Sequence, residues 1–380
     1  MTLDDLRRAA VARTLFAPTT LQRALDRLGF VQADPIRAPA RAQDLTLRHR
    51  VVDYRAGDLE RQYVDLDVHE DVFVNYGFVT GAVQALMHPR GGPAPWKAGH
   101  GRRVRVLLDF VRTRGTVHPR DVDRHFSHGT VTNYWGGSSN ATTHLLDAMH
   151  YRGLLRVARR DAGIRIYATY EHEPVRNDAA TRRTHLDALV DVIVGMYAPL
   201  PALSLSMLVR RLRYAVPQWT DALTQTLHRA KRRLAHHRVD GADWYSPADG
   251  AAVDGPDDRV RLLAPFDPVV WDRRRFEMLW GWAYRFEAYT PVPKRKLGYY
   301  ALPLLWHDRV IGWGNVSVKR TALKADLGYV DGRPPRDRTF RRGLDEELDR
   351  LRCFLAVARR GKASAENAER AETINRISHE

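Results

Sequence analysis

The chain has 380 residues and a formal net charge of +16 at pH 7, since 61 lysines and arginines outnumber 45 aspartates and glutamates. No apolar run approaches the roughly 20 residues of a membrane-spanning helix, and the first residues lack the basic start and apolar middle of a signal peptide. A single cysteine excludes disulfides, zinc ribbons and four-cysteine iron–sulfur clusters. We therefore expect a multidomain cytoplasmic protein with nucleic acid as its leading partner, although a GC-rich genome also enriches arginine.

The histidines and acidic pairs do not form a recognisable cofactor site. His125 and His128 lie three residues apart, and no H-E-x-x-H motif occurs among the 16 histidines. Acidic pairs such as Asp65 and Asp67 could hold magnesium in a nuclease, but such spacings are common on charged surfaces. No phosphate-binding G-x-x-x-x-G-K-[ST] loop occurs either. The sequence therefore predicts no metal and no cofactor.

The N-terminal segment predicts two helices followed by an extended segment with two polar residues. The helices cover residues 3–16 and 20–28, and a glycine ends the second one. In the sequence GFVQADPI that follows, Gln32 and Asp34 are two residues apart, so an extended backbone points both side chains to one face. Pro35 restricts Asp34 to extended conformations. An amide and a carboxylate thus form a candidate site; the structural alternative is that Asp34 caps a turn and Gln32 faces solvent.

The centre of the chain has the element order of a winged helix. One helical pattern ends at Gly115, a short extended segment follows, and Pro119 suits the first turn of the next helix. Asn140 can cap a third helix, and residues 154–158 can pair with residues 164–170 as a hairpin. Helix and strand periods alternate here with suitable caps at each junction, which indicates a helix-turn-helix module with a β wing.

A similar order follows between residues 180 and 250. Residues 182–197 predict a helix, Ser204 opens a second helix, and Thr220 caps a third that continues to residue 234. Residues 239–245 predict a strand. The pattern therefore predicts three related helical modules.

Beyond residue 259 the chain becomes aromatic and β-rich. A tight turn at His307 and Asp308 separates the last two predicted strands, and leucines at helical spacing from Leu344 predict an amphipathic helix. The predicted strands are 260–263, 284–289, 298–305 and 310–318.

These patterns predict an α+β fold of tandem winged-helix modules with a C-terminal β domain. The predicted parts are an N-terminal winged-helix-like module with the Gln32–Asp34 segment (1–95), a central winged helix (100–172), a third winged helix (180–250), a C-terminal β domain (256–335), a helix (342–364) and a flexible tail (365–380).

Several cations are candidate contacts to nucleic acid. The third helix of a winged helix usually enters the major groove, which favours Lys231 and Arg232, although a solvated helix face is an equal alternative. A proline-stiffened segment carries three consecutive cations suited to phosphate contacts, or to guarding a strand edge. The candidate DNA-binding residues are Arg37, Arg41, Lys231, Arg232, Lys294, Arg295 and Lys296.

Three blocks resemble the bacterial winged-helix DNA glycosylases of the YcaQ and AlkZ type. They are LAPFDPVVWDR at 263–273, YRFEAY at 284–289 and KRKLGYYALP at 294–303, and the resemblance spans nearly the whole chain. It implies tandem winged helices, a β domain, removal of N7-alkylated purines and unhooking of interstrand crosslinks. The family's catalytic motif is glutamine, an apolar residue, then glutamine or aspartate. Gln32-Ala33-Asp34 matches the aspartate-ending, YcaQ-like branch, which favours general alkylation repair over the antibiotic self-resistance of the glutamine-ending branch.

The chemistry of the candidate residues agrees with this activity. N7 alkylation makes guanine a good leaving group, so an enzyme need only stabilise the developing oxocarbenium charge and direct water to C1′. We expect Asp34 to do both, with Gln32 orienting the water or the deoxyribose. No lysine lies near Asp34 in the sequence to form a Schiff base, which predicts a monofunctional enzyme. We expect the enzyme to be a monomer and its substrate to be duplex DNA. The alternatives are a winged-helix transcription regulator without catalytic activity and, more weakly, a metal-dependent nuclease.

Overall fold

The computed structural model describes residues 1–90, 96, 100–126, 129–132, 138–173, 176, 178–248, 257–319 and 322–357. These residues form two compact units. The first contains Met1–Asp34, Arg50–Val52 and Gly57–Gly255, and the second contains Pro35–His49, Asp53–Ala56 and Pro256–Glu380, within the described ranges. Among the described helices, none is long and apolar enough to cross a membrane.

Local caps set the start of the chain. Helix α1 (Leu3–Ala12) begins at a capping box of Thr2 with Asp5, and helix α2 (Leu21–Leu28) begins at Thr20 and ends at Gly29, whose φ is +70°. The predicted first helix is too long. Residues 13–16 form a turn and a coil, because the apolar side chains of Leu15 and Phe16 that extended the pattern are buried outside the helix.

A three-stranded antiparallel sheet follows in the first unit. Its strand order is β1-β3-β2, and it is built from β1 and a hairpin that returns some 40 residues later in the chain. The elements in this part of the chain are β1 (Phe30–Gln32), α3 (Ala42–Leu47), α4 (Asp58–Gln62), a 3₁₀ helix (Tyr63–Asp65), β2 (Val68–Val72), β3 (Tyr76–Thr80) and α5 (Gly81–Met87).

The central segment has the predicted order of helix, strand, helix, helix and hairpin. Asn140 accepts a hydrogen bond from the Thr143 N–H at 3.0 Å and caps the third of these helices. The sheet order is β4-β8-β7, and a small hairpin that the sequence did not predict, β5 with β6, precedes the third helix. The elements are α6 (His100–Arg114), β4 (Thr116–Val117), α7 (Pro119–Phe126), β5 (Thr130–Thr132), β6 (Ser138–Asn140), α8 (Ala141–Tyr151), β7 (Leu155–Asp161) and β8 (Ile164–Thr169).

The next segment differs from the prediction at two points. Residues 239–245 are not one strand but the second part of a hairpin that turns at Asp240 and Gly241, both with positive φ. Thr220 is not a helix cap, because it lies in a 3₁₀ helix and its hydroxyl donates to the Pro217 carbonyl. The elements are α9 (Ala179–Tyr197), β9 (Leu200–Pro201), α10 (Ala202–Arg211), 3₁₀ helices (Leu212–Tyr214 and Pro217–Ala222), α11 (Leu223–Arg233), β10 (Ala235–Val239) and β11 (Ala242–Ser246), with sheet order β10-β11-β9.

The second unit contains a four-stranded antiparallel sheet in the order β12-β13-β14-β15. The predicted strand at 284–289 is wrong: this segment is irregular, and its aromatic residues pack together, with the Tyr284 hydroxyl donating to the Ala301 carbonyl at 2.6 Å. The sequence also missed α12 and β15. The elements are β12 (Arg261–Leu262), α12 (Arg273–Trp280), a 3₁₀ helix (Val292–Lys294), β13 (Leu302–Trp306), β14 (Arg309–Lys319), β15 (Ala322–Tyr329) and α13 (Arg338–Phe354).

A buried carboxylate connects the N-terminal part of the second unit to its C-terminal part. Glu347 is fully buried and accepts hydrogen bonds from Arg48 at 2.5 Å and from the Leu262 N–H at 2.8 Å. Residues 35–49 therefore pack with the C-terminal sheet, whereas the sequence grouped them with the N-terminal module. The division of the chain into five parts and a tail stays a prediction, and the tail at 365–380 lies outside the described residues.

Candidate active site

Gln32 lies at the end of β1, directly opposite Gly77 of β3. A Cβ atom at position 77 would lie 2.3 Å from the Val31 carbonyl oxygen and 2.9 Å from the Gln32 Cα, so only glycine allows the strands to approach this closely. The Ala33 N–H donates to the Tyr76 carbonyl at 3.1 Å, which extends the pairing by one residue. Pairing with β3 therefore fixes the backbone of Gln32 and Ala33.

A chain of polar side chains holds the Gln32 amide. Asn75, in the turn between β2 and β3, donates from Nδ2 to Gln32 Oε1 at 2.8 Å. Arg211, the last residue of α10, donates from Nη2 to Asn75 Oδ1 and from Nε to the Val74 carbonyl at 2.9 Å. All three side chains are half-buried. They connect parts of the first unit that are 43 and 136 residues apart in sequence.

The hydrogen bonds from Arg211 to Asn75 and from Asn75 to Gln32 run in one direction. A guanidinium has donors only, so the Asn75 atom that faces Arg211 must be its oxygen. The Asn75 nitrogen then faces Gln32, and Gln32 must receive it with its own oxygen. The two amide orientations, which geometry alone does not fix, follow from this one cation. Gln32 therefore turns its NH2 group, a hydrogen-bond donor, away from Asn75.

The hairpin that carries Asn75 is braced by a buried ion pair. Glu70 accepts two hydrogen bonds from Arg160, both at 2.6 Å, and a third from the Tyr76 hydroxyl at 2.6 Å. Burial alone would raise the pKa of Glu70, but Arg160 and Tyr76 bring it below its ordinary value. Tyr76 thus supports the site twice, because its carbonyl also holds Ala33.

A second buried cluster lies on the adjacent residue of β2. Asp71 pairs with Arg90 and is hydrogen-bonded to His88, each at 2.7 Å. Burial raises the pKa of its carboxyl, but the charge of Arg90 and the His88 hydrogen bond bring it below its ordinary value. The His88 ring stacks on the His172 ring with centroids 4.3 Å apart. Burial lowers the pKa of both histidines, that of His172 to about 4. Both clusters are structural supports rather than parts of the Gln32 chain.

Asp34 is the last residue of the first unit's N-terminal segment, Met1–Asp34, and is half-buried. It lies between Ala33, which pairs with β3, and the exposed Pro35. That its carboxylate shares one face with the Gln32 amide stays a prediction. Its role stays a prediction.

The cations on α11, among them the candidates Lys231 and Arg232, differ in their surroundings. Arg229 and Arg233 pair with Asp187 and Asp191 of α9, so these two cations tie helices together. Arg232 is exposed, and Lys231 lies 5.9 Å from the centroid of the Tyr245 ring. Lys231 and Arg232 are therefore the members of this cluster best placed to meet a ligand.

The other candidate cations lie in the second unit. Arg37 is exposed, and Arg41 precedes α3. Lys294 and Lys296 are exposed, while the Arg295 Nε donates to the Thr290 carbonyl at 2.7 Å and its guanidinium lies 5.0 Å from the Tyr299 ring centroid. Arg295 thus shapes its own loop. Contact of any of these residues with DNA stays a prediction.

No group of three or more metal-ligating side chains is present in the part of the chain that the structure describes. The sequence also missed Asn75 and Arg211, the two residues that hold Gln32. Neither belongs to a motif, and their proximity to Gln32 arises from pairing between distant segments. The one local signal was the sequence Val74-Asn75-Tyr76-Gly77, a turn with a glycine between alternating apolar residues.

Comparison with known proteins supports the family that the sequence resembles. Residues 25–354 match the protein family described as DNA glycosylase AlkZ-like. The fold is similar to that of Streptomyces sahachiroi DNA glycosylase AlkZ, with a TM-score of 0.59 and 14% identity, over 94% of this chain and 98% of that chain. At this identity the structural similarity shows a shared α+β fold, whereas the family match covers most of the sequence. The chain therefore belongs to the AlkZ-like family of DNA glycosylases.

Proposed function

We propose that the protein is a monofunctional DNA glycosylase that releases N7-alkylated purines from duplex DNA, including purines held in interstrand crosslinks. The observation that carries this proposal is the oriented Gln32 amide two residues before Asp34, in a chain of this family. Its DNA-repair role follows from the substrate, because an interstrand crosslink prevents strand separation and must be removed before replication.

The reaction needs little from the protein. As the C1′–N9 bond breaks, its electron pair moves to the purine and neutralises the positive charge that alkylation placed on the ring. Water then bonds to C1′ and gives up a proton, leaving an abasic site and a neutral base. Asp34, as a carboxylate, stabilises the cationic sugar and accepts that proton.

Gln32 supplies a fixed donor in this scheme. Its NH2 group can hold an oxygen of the sugar or of the attacking water, since the Asn75 hydrogen bond occupies its carbonyl. The first lysine in the chain is Lys97, far from Asp34 in sequence, so the proposal includes no Schiff base and no strand cleavage.

Crosslinked substrates place a constraint on the site. A purine tethered to the opposite strand cannot rotate by about 180° into a closed pocket. The enzyme is therefore expected to act from a groove of the duplex and to accept bulky adducts as well as methyl groups.

The test is release of 7-methylguanine, and unhooking of a nitrogen-mustard crosslink, from duplex DNA in the presence of EDTA. Asp34→Asn should lose about a hundredfold or more of the release rate and keep its duplex affinity, because the change removes a charge but little volume. Asp26→Asn, on the exposed face of α2, is the matched control and should retain activity. Tight binding to one sequence without base release would support a transcription regulator instead, and loss of activity in EDTA would support a metal-dependent nuclease.

A further inference from the structure

The loop formed by residues 287–298 of the second unit exposes large apolar side chains. Tyr289 is 80% exposed and Val292 is 70% exposed, the highest values among the large apolar residues that the structure describes. Pro291 and Pro293, which flank Val292, are exposed as well. Isolated apolar residues on a surface need no explanation, but consecutive ones at the tip of one loop mark an interaction site.

The 287–298 loop is held from below by a buried carboxylate. Glu287 is 4% exposed and accepts hydrogen bonds from the N–H groups of Lys296, Leu297 and Gly298, the shortest at 2.7 Å. Burial raises the pKa of Glu287, but these N–H groups bring it below its ordinary value. The carboxylate is therefore charged at neutral pH and fixes the loop.

Further contacts restrict the loop tip. The Thr290 N–H donates to the Glu287 carbonyl at 3.0 Å, and the Lys294 N–H donates to the Pro291 carbonyl at 2.9 Å. The Tyr289 ring packs edge-on against the Phe286 ring, with centroids 6.0 Å apart. The exposed tyrosine thus rests on a half-buried aromatic ring, and a fixed loop avoids an ordering cost when it binds.

The charge around the tip is positive. Arg285, Lys294 and Lys296 are exposed, and Glu287, which is buried under the loop, is the one acidic residue between 285 and 298. An apolar tip between cations has the chemistry of side chains that enter a base step while the neighbouring phosphates are neutralised. A segment whose exposed charges are all positive fits a polyanion better than a protein surface.

We propose that Tyr289 and Val292 form a wedge that the 287–298 loop inserts into a base step of duplex DNA, with Lys294 and Lys296 on the flanking phosphates. The proposal rests on the proposed function for its DNA partner and assigns residues that separate stacked bases.

The test combines duplex affinity with topology. Full-length protein is bound to a relaxed closed circular plasmid in the presence of topoisomerase, and the change in linking number is read on a gel. Tyr289→Ser and Val292→Ser should each reduce duplex affinity about tenfold and reduce unwinding, because base–apolar contacts are lost. The slope of log affinity against log salt should not change. Lys294→Ala should instead reduce that slope by about one.

Two variants serve as controls. Tyr289→Phe keeps the ring and should behave as wild type. Val64→Ser changes a valine that is 64% exposed in the first unit and should leave affinity and unwinding unchanged. Because Tyr289 and Val292 are exposed, their replacement should not lower the melting temperature.

The outcomes separate this proposal from the proposed function. If Tyr289→Ser and Val292→Ser bind and unwind DNA as wild type does, the wedge proposal is overturned. Binding of a protein by the 287–298 loop would also contradict it. If wild type binds and unwinds DNA through these residues but releases no alkylated purine, the wedge is supported and the glycosylase activity is contradicted.

Discussion

At the scale of single residues, the site depends on the direction of a hydrogen bond as much as on its presence. Arg211 can only donate, and this fact propagates through Asn75 to Gln32. Arg211, acting through Asn75, thus determines whether Gln32 offers a donor or an acceptor. Positioning of this kind is invisible to motif searches, because no spacing in the sequence connects residues 32, 75 and 211.

This polarity can be reversed with one isosteric change. In Asn75→Asp, the new carboxylate keeps Arg211 but cannot donate, so Gln32 must turn its NH2 group towards position 75 and present its carbonyl to the substrate. We expect the base-release rate to fall at least tenfold, since one donor hydrogen bond in the transition state is replaced by repulsion.

The measurement compares single-turnover release rates, duplex affinity and melting temperature. A merely structural role for Asn75 would lower the melting temperature and the affinity together with the rate. The polarity argument requires a lower rate at unchanged affinity, and Arg211→Lys, which also donates, should retain more activity than Arg211→Met. A fully active Asn75→Asp protein would contradict it.

At the scale of elements, the reliable sequence signals are local ones. Thr20 and Gly29 bound α2 as predicted, because capping and left-handed conformations are decided within one turn of helix. The strand predicted at 284–289 failed because aromatic residues favour strands and buried clusters alike, and only tertiary packing separates the two. The position of β1 beside β3, and with it the shape of the site, depends on pairing between segments that no local pattern connects.

The buried histidines next to the site hairpin make the first unit sensitive to acid. Burial lowers the pKa of His88, His150 and His172, that of His172 to about 4 against 6.5 for a free side chain. The unfolded chain then binds more protons than the folded one between about pH 4 and pH 6.5, so stability falls as the pH decreases through that range.

Urea unfolding at several pH values checks this expectation. The free energy of unfolding should fall as the pH decreases from 7.5 to 5.5. His172→Phe, which keeps a ring against His88, should weaken this dependence. Stability that is constant over the range would show that the histidines do not resist protonation.

At the scale of the whole molecule, only part of the excess positive charge is available to bind DNA. Many arginines are paired with acids inside the fold, as Arg229 and Arg160 are, and these cannot neutralise phosphates without breaking a structural contact. The net charge of +16 therefore overstates the number of cations available to DNA. It still predicts binding to duplexes with little sequence preference and a steep dependence on salt.

Replacing Lys231 and Arg232 together tests the part of this charge that α11 supplies. The double variant Lys231→Ala/Arg232→Ala should bind duplex DNA more weakly at every sequence, and the slope of log affinity against log salt should fall by about two. Arg8→Ala, which removes an exposed cation of α1, should leave the slope unchanged. Equal slopes for wild type and the double variant would place the contacts elsewhere.

Gly77 shows how far the demands of the site extend beyond its chemistry. The Cβ atom of any side chain there would lie 2.3 Å from the Val31 carbonyl oxygen, in the strand that carries Gln32. This oxygen belongs to the paired backbone and cannot shift as a flexible side chain could. In a survey of random substitutions scored by survival under alkylating stress, position 77 should therefore tolerate as little change as position 34. A residue without a functional group would then look catalytic to a genetic screen, and only the folded fraction of each variant would distinguish the two.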